Sequence, residues 1–138
     1  RAYSPQIAWQ VTDGCRTLLP TMQSDIVLSN KKAEKTLIID AKFYTHNMQM
    51  KAPYMTQTLH SGNLYQIFTY VKNKDMEFGN HPHEVSGMLL YARTDELIQP
   101  DNTYHMSGNK VSVRTLDLNR EFAEIAAQLN AIVDEYFS

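Results

Sequence analysis

The chain has 138 residues, 43% of them hydrophobic and 20% charged, which suits a single domain and excludes disorder. Its one cysteine, Cys15, excludes a disulfide framework and a cysteine-based zinc site. A net charge of −2 gives no overall attraction to nucleic acid, but residues 1–74 carry nine Lys/Arg against four Asp/Glu, while residues 75–138 carry four against eleven. The positive first half either suits phosphate or is ordinary surface variation.

No apolar run approaches the ~20 residues of a membrane span. No signal-like segment opens the chain, so a cytoplasmic protein without membrane contact is expected. The first residue is Arg1, not Met, and we expect residues 1–138 to form one domain from the C-terminal part of a longer protein.

In chain order, residues 1–20 mix Pro5, Gly14 and Pro20 with Ile7, Trp9 and Val11, which predicts a short strand and then a loop. Ser24–Leu28 reads as a strand, residues 29–35 as a polar turn, and Thr36–Lys42 as a buried, β-branched strand, together a hairpin. Residues 43–60, with Pro53, predict a loop. Ser61 is the predicted N-cap of a helix to about Lys74, with Leu64, Ile67, Phe68 and Val71 as its apolar stripe. Residues 75–84 predict a loop, Val85–Ala92 a central strand, residues 93–109 turns, and Lys110–Leu116 a half-exposed strand. Phe122, Ile125, Ala126, Leu129, Ile132, Val133 and Tyr136 fit one face of a last helix over residues 119–137. The expected fold is α/β, a mixed sheet flanked by helices.

The chemistry concentrates on Asp25, Asp40 and Lys42. Asp40 and Lys42 stand at i and i+2 on a strand and share a face with Thr36 and Ile38. The hairpin brings Asp25 towards them. Two close carboxylates repel, and a divalent cation such as Mg²⁺ relieves the repulsion while keeping water or phosphate oxygens as further ligands. Such a site activates water and stabilises charge on a phosphodiester. Lys42 can hold a phosphate oxygen or orient the attacking water. Taken alone, Asp40 and Lys42 also read as a salt bridge at a strand end.

On the helix, Asn63, Gln66 and Tyr70 fall opposite the apolar stripe at ~100° per residue. Gln66 and Tyr70 stand one turn apart, so they can orient a carboxylate, a water or a backbone oxygen of DNA, or simply face solvent.

The order D…D-x-K followed by a helix with Q-x-x-x-Y resembles the PD-(D/E)xK nuclease superfamily, in its branch with a RecB-like Gln/Tyr helix. Four runs narrow the resemblance: Leu18–Leu28, Leu37–Tyr44, Thr58–Val71 and Ser86–Tyr91. They are similar to the McrC family, the nuclease subunits of McrBC modification-dependent restriction systems, from about Pro20 to the C-terminus.

The resemblance implies a restriction-endonuclease-like fold and an antiviral endonuclease that cuts double-stranded DNA. It assigns Asp25 and Asp40 as ligands of Mg²⁺, or Mn²⁺ in its place, and Lys42 as the catalytic lysine, with Gln66 and Tyr70 on the supporting helix. It also implies an McrB-type AAA+ GTPase partner that recognises modified cytosine. Many members of the superfamily place an acidic residue on a helix before the first strand, whereas here only Asp13 precedes Asp25. Two other functions fit the same residues: a non-catalytic scaffold between a GTPase and DNA, and a RecB-like repair nuclease.

Among the remaining residues, His81 and His83 read as a flexible loop, with a metal site as the alternative, and His46 and His60 as exposed loop histidines with phosphate or substrate contact as the alternative. Lys31, Lys32 and Lys35 read as a solvated turn protecting a sheet edge, with DNA contact as the alternative.

Overall fold

A computed structural model describes residues 2–32, 34–44, 48–51 and 56–137. His46 and Pro53, on which two expectations rest, lie outside the described residues. The elements are β1 (Ala2–Tyr3), β2 (Gln6–Ile7), β3 (Met22–Gln23), β4 (Ile26–Asn30), β5 (Lys35–Lys42), β6 (Met48–Lys51), β7 (Thr56–Leu59), α1 (Ser61–Glu77), β8 (Glu84–Ala92), β9 (Asn102–Met106), β10 (Asn109–Leu116) and α2 (Phe122–Phe137).

Six strands form one mixed sheet in the order β1-β4-β5-β8-β10-β9. The β4–β5 pair is the expected antiparallel hairpin, and β5, β8 and β10 run parallel to one another. Parallel neighbours need a long crossover, and the β5–β8 crossover contains α1. The two faces of the sheet follow from alternation along the strands. On β5, Ile38 packs in the cluster that includes Ile67 and Val71 of α1, while Leu37 and Ile39 join Tyr136, Ile125 and Ile132 of α2. Val85–Tyr91 of β8 is buried throughout, as expected of a strand covered on both faces. The mixed α/β architecture is consistent with the expected restriction-endonuclease-like fold.

Gly87 explains how closely α1 approaches. A Cβ added there would stand 2.6 Å from Val71 Cγ2 and 2.8 Å from Ile67 Cγ1. Glycine therefore lets the helix settle onto β8, and the helix in turn covers the end of β5.

Several expectations need correction. Residues 48–51 and 56–59, expected as loop, form the antiparallel β6–β7 pair. The Met48/Met50 alternation is too short to announce a strand, and Thr56–Leu59 carries a single apolar residue, Leu59. Residues 102–106, expected as turns, form β9 at the sheet edge, where only Tyr104 and Met106 are half-buried and the strand signal is weak. The N-cap of α1 is His60, not Ser61. His60 has extended backbone angles and makes no side-chain capping bond, and its carbonyl accepts the Asn63 N–H at 3.1 Å. The helix also runs past Lys74 to Glu77.

The buried face of α1 consists of Asn63, Ile67, Tyr70 and Val71, whereas Leu64 and Phe68 are only half-buried. Asn63 and Tyr70 thus lie against the sheet and not on the far side. The buried arc is rotated toward them because the sheet offers polar partners there. Asn63 donates from Nδ2 to the Tyr91 hydroxyl at 3.3 Å and accepts the Tyr44 hydroxyl at 3.2 Å.

Candidate active site

The β4–β5 register pairs Ile26 with Ile39. Continued by one residue, it would set Asp25 opposite Asp40, but the backbone ladder stops there and side chains take over. The buried Ser24 hydroxyl shares its one proton between the carbonyls of Ile39, at 3.0 Å, and Ile26, at 3.1 Å. The Ala41 N–H donates to Asp25 Oδ2 at 2.8 Å, and the Asp25 N–H donates to Asp40 Oδ1 at 3.4 Å. The two aspartates therefore close the end of the hairpin reciprocally. Asp25 itself just precedes β4 and is exposed, a small correction to its expected place within the strand.

Asp40 is 3% exposed, and its Oδ2 has no hydrogen bond. Lys42 Nζ lies 3.7 Å from that oxygen, an ion pair too long for a hydrogen bond. Burial pushes the Asp40 carboxyl above the ordinary carboxylate range and the Asp25 charge adds to this; the Lys42 ammonium and the Asp25 N–H oppose it. An oxygen that is buried, charged and without a donor is costly unless a ligand takes it up.

Lys42 is held from the helix side. Its Nζ donates to Gln66 Oε1 at 2.7 Å, and Gln66 Nε2 donates to the Tyr70 hydroxyl at 3.0 Å. The structure thus brings together all five residues singled out in the sequence: Asp25, Asp40, Lys42, Gln66 and Tyr70. Asp13, by contrast, is an exposed bend residue whose Oδ1 accepts the Cys15 N–H at 3.0 Å.

Sequence reasoning missed the Tyr44–Asn63–Tyr91 chain beside this group. The signal lay in the polar Asn63 within α1 and in Tyr91, which stands opposite Lys42 in the β5–β8 register.

No group of three or more His, Cys, Asp or Glu side chains among the described residues could hold a metal ion. A site of two carboxylates remains, each with one oxygen that accepts no recorded hydrogen bond: Asp40 Oδ2 and Asp25 Oδ1. Mg²⁺ suits such a donor set, because it commonly takes one or two carboxylates and fills its octahedron with water or phosphate oxygens.

The chain is similar to the type IV methyl-directed restriction enzyme EcoKMcrBC of Escherichia coli strain K12, with 32% identity over 136 residues. The chain is a relative of this McrBC enzyme. The McrC-family resemblance of the sequence thereby stands, and the match takes in 99% of this chain. The chain spans about 36% of that relative's length. No protein-family model matches the chain. No helix among the described residues is long and apolar enough to cross a membrane.

Proposed function

We propose that the chain is the endonuclease domain of a modification-dependent restriction system, cutting double-stranded DNA with Mg²⁺ held by Asp25 and Asp40. The observation that carries this reading is the buried Asp40 oxygen without a hydrogen bond, 3.7 Å from the Lys42 ammonium, on a carboxylate that also feels the Asp25 charge. A Mg²⁺ ion, or Mn²⁺ in its place, would supply Lewis acidity and a water of lowered pKa.

The chain's own residues do the rest. Asp25 and Asp40 would hold the cation through Asp25 Oδ1 and Asp40 Oδ2, which accept no hydrogen bond from the described residues. Lys42 stands as a point charge for a phosphate oxygen or the attacking water. Gln66 keeps the ammonium from folding onto Asp40, and Tyr70 fixes the Gln66 amide through its hydroxyl. The relative is named a methyl-directed restriction enzyme, which supports a methylated DNA substrate; a partner of the McrB GTPase type belongs to the reading through the family resemblance. A cytoplasmic site of action belongs to the same reading.

The test uses the full-length subunit with its GTPase, GTP and methylated duplex. Asp40→Ala should abolish cleavage and leave assembly with the partner intact. Undiminished cutting by this variant in Mg²⁺ refutes the assignment. A subunit that assembles but never cuts, wild type included, favours the scaffold reading.

A further inference from the structure

A cavity of about 370 Å³ lies at the end of α1 far from the carboxylates, lined in part by Lys35 and Thr36 of β5 and by Lys74 near the end of α1. Thr36 precedes Asp40 by four residues, about 13 Å along the strand. Between them Ile38 is fully buried in the cluster that includes Ile67 and Val71, so the core separates the cavity from the candidate active site. Its volume falls within the ~300–1,000 Å³ of small-molecule pockets.

The charges of the lining are unbalanced. Lys31, Lys35 and Lys74 contribute to it, with Glu34 as the one acidic residue. That carboxylate is engaged by His81 Nε2 at 2.9 Å, and Lys74 is engaged by Glu77 at 3.2 Å. Lys31 and Lys35 form no ion pair among the described residues. Ammonium groups gathered around one small cavity repel each other, and an anion between them relieves that repulsion.

The walls are aromatic as well. Tyr3 and Phe78 line the cavity, and the Phe78 ring stacks on the His83 ring with centroids 5.0 Å apart and planes at 27°. Lys74 Nζ sits 5.6 Å from the centroid of the Phe78 ring.

The turn beside the cavity is anchored. Glu34 adopts φ 54°, costly for a residue with a side chain, and its carbonyl accepts the Glu84 N–H at 3.0 Å. His83, expected in a flexible loop, is instead tied by its Nε2 to Asp75 at 2.7 Å.

We propose that this cavity binds a nucleotide phosphate with its base: the lysines take the phosphate and the base packs against the apolar wall to which Tyr3 and Phe78 contribute. The ligand is either a free nucleoside monophosphate or the 5′-phosphorylated end of a nucleic acid strand. Both present the same chemistry. The site is independent of the nuclease reading, since it shares no residue with it.

Calorimetric titration of the full-length protein in EDTA tests the proposal, with adenosine monophosphate, adenosine, inorganic phosphate and a 5′-phosphorylated dinucleotide as probes. At least one phosphorylated nucleotide should bind saturably. Adenosine and inorganic phosphate should each bind at least tenfold more weakly. Tighter binding of the dinucleotide identifies the strand end as the source, and tighter binding of the monophosphate identifies the free nucleotide. The double variant Lys31→Glu/Lys35→Glu should lose at least tenfold in affinity while keeping the parental melting temperature. Asp40→Asn should leave binding unchanged. The proposal fails if neither nucleotide binds at millimolar concentration, if the lysine variant binds like the parent, or if Asp40→Asn abolishes the binding. Should the double variant melt early, Lys31→Gln alone, at an exposed turn position, must still weaken binding, and equal binding overturns the proposal.

Discussion

Asp40 carries a conflict within a single side chain. One oxygen accepts the Asp25 N–H, and the other is buried beside an ammonium without a hydrogen bond. Because its carboxyl titrates above the ordinary range, the folded state favours the protonated acid more than the unfolded chain does. Stability is therefore lost in the metal-free protein as pH rises from the unfolded carboxylate range through the raised folded value, and the deficit is absent below the unfolded carboxylate range. Asp40→Asn should raise the melting temperature of metal-free protein at neutral pH, and thermal scans should show this gain vanish as pH falls below the unfolded carboxylate range. Mg²⁺ should stabilise the parent, by about 2.7 kcal/mol at a hundredfold excess over its Kd, and leave the variant unmoved. A variant that melts below the parent at neutral pH would mean that the Asp40–Lys42 pair is a net stabilising salt bridge. The aspartate pair and Lys42 were legible in the sequence because strand alternation fixes a face without reference to the rest of the fold. The missing hydrogen bond was not legible, since it depends on how α1 and the Ser24 segment enclose the strand end.

Helix α1 shows what periodicity supplies and where it stops. The apolar spacing of Leu64, Ile67, Phe68 and Val71 identified the helix, yet the buried arc is rotated to include Asn63 and Tyr70. Hydropathy cannot register a polar side chain that faces the core because it finds partners there. Gln66→Ala should leave the melting temperature close to the parent and reduce cleavage by ~1–3 kcal/mol of transition-state stabilisation, roughly 5- to 150-fold, because Lys42 loses its anchor. Tyr70→Phe keeps the buried ring and should lose only about 1 kcal/mol, the worth of one hydrogen bond. Tyr70→Ala opens the core and should cost ~3–5 kcal/mol of stability in denaturant titration. Gly87 bears on the same packing. Gly87→Ala places a methyl group against the β-branched Val71 and Ile67, which cannot swing aside as a long side chain would. It should destabilise the domain by about 1–3 kcal/mol and lower cleavage together with it, because α1 then carries Gln66 away from β5. Strands β6 and β9 escaped the sequence for a different reason: the alternations Met48/Met50 and Tyr104/Met106 span only two apolar residues each, which an edge or a small separate sheet tolerates and a loop carries as readily.

At the scale of the molecule, the candidate site lies within residues 25–70, in the half of the chain that is net positive, while the half containing α2 is net negative. With −2 overall, the chain has little of the sequence-independent attraction that normally brings a nuclease to its duplex. If substrate delivery belongs to a partner, proximity in the assembly supplies a large part of the rate. The 138-residue chain alone should therefore cut DNA far more weakly than the full-length subunit with its GTPase and GTP, on methylated and unmethylated duplex alike. Strong cutting by the chain alone, equal on both duplexes, would instead favour a free-standing repair-type nuclease. The order of the major strands and both helices was legible because the apolar runs of β5 and β8 can only be central, whereas β10, expected half-exposed from its alternation, is instead largely buried between β8 and β9. The second cavity was not, because its residues come from β1, the β4–β5 turn and the segment after α1, which meet only once the sheet has formed.

The reciprocal closure of the β4–β5 hairpin also turns one backbone proton into a gauge of the site. The Ala41 N–H has a carboxylate as its partner where a strand carbonyl would ordinarily serve. Its isotope exchange with solvent and its proton resonance must then follow the electron density on Asp25. Asp25→Ala should release that amide to rapid exchange while the amides deeper in β5 stay protected. Titration with a divalent cation should move the Ala41 resonance before any strand-interior signal, so occupancy can be followed without substrate and without turnover.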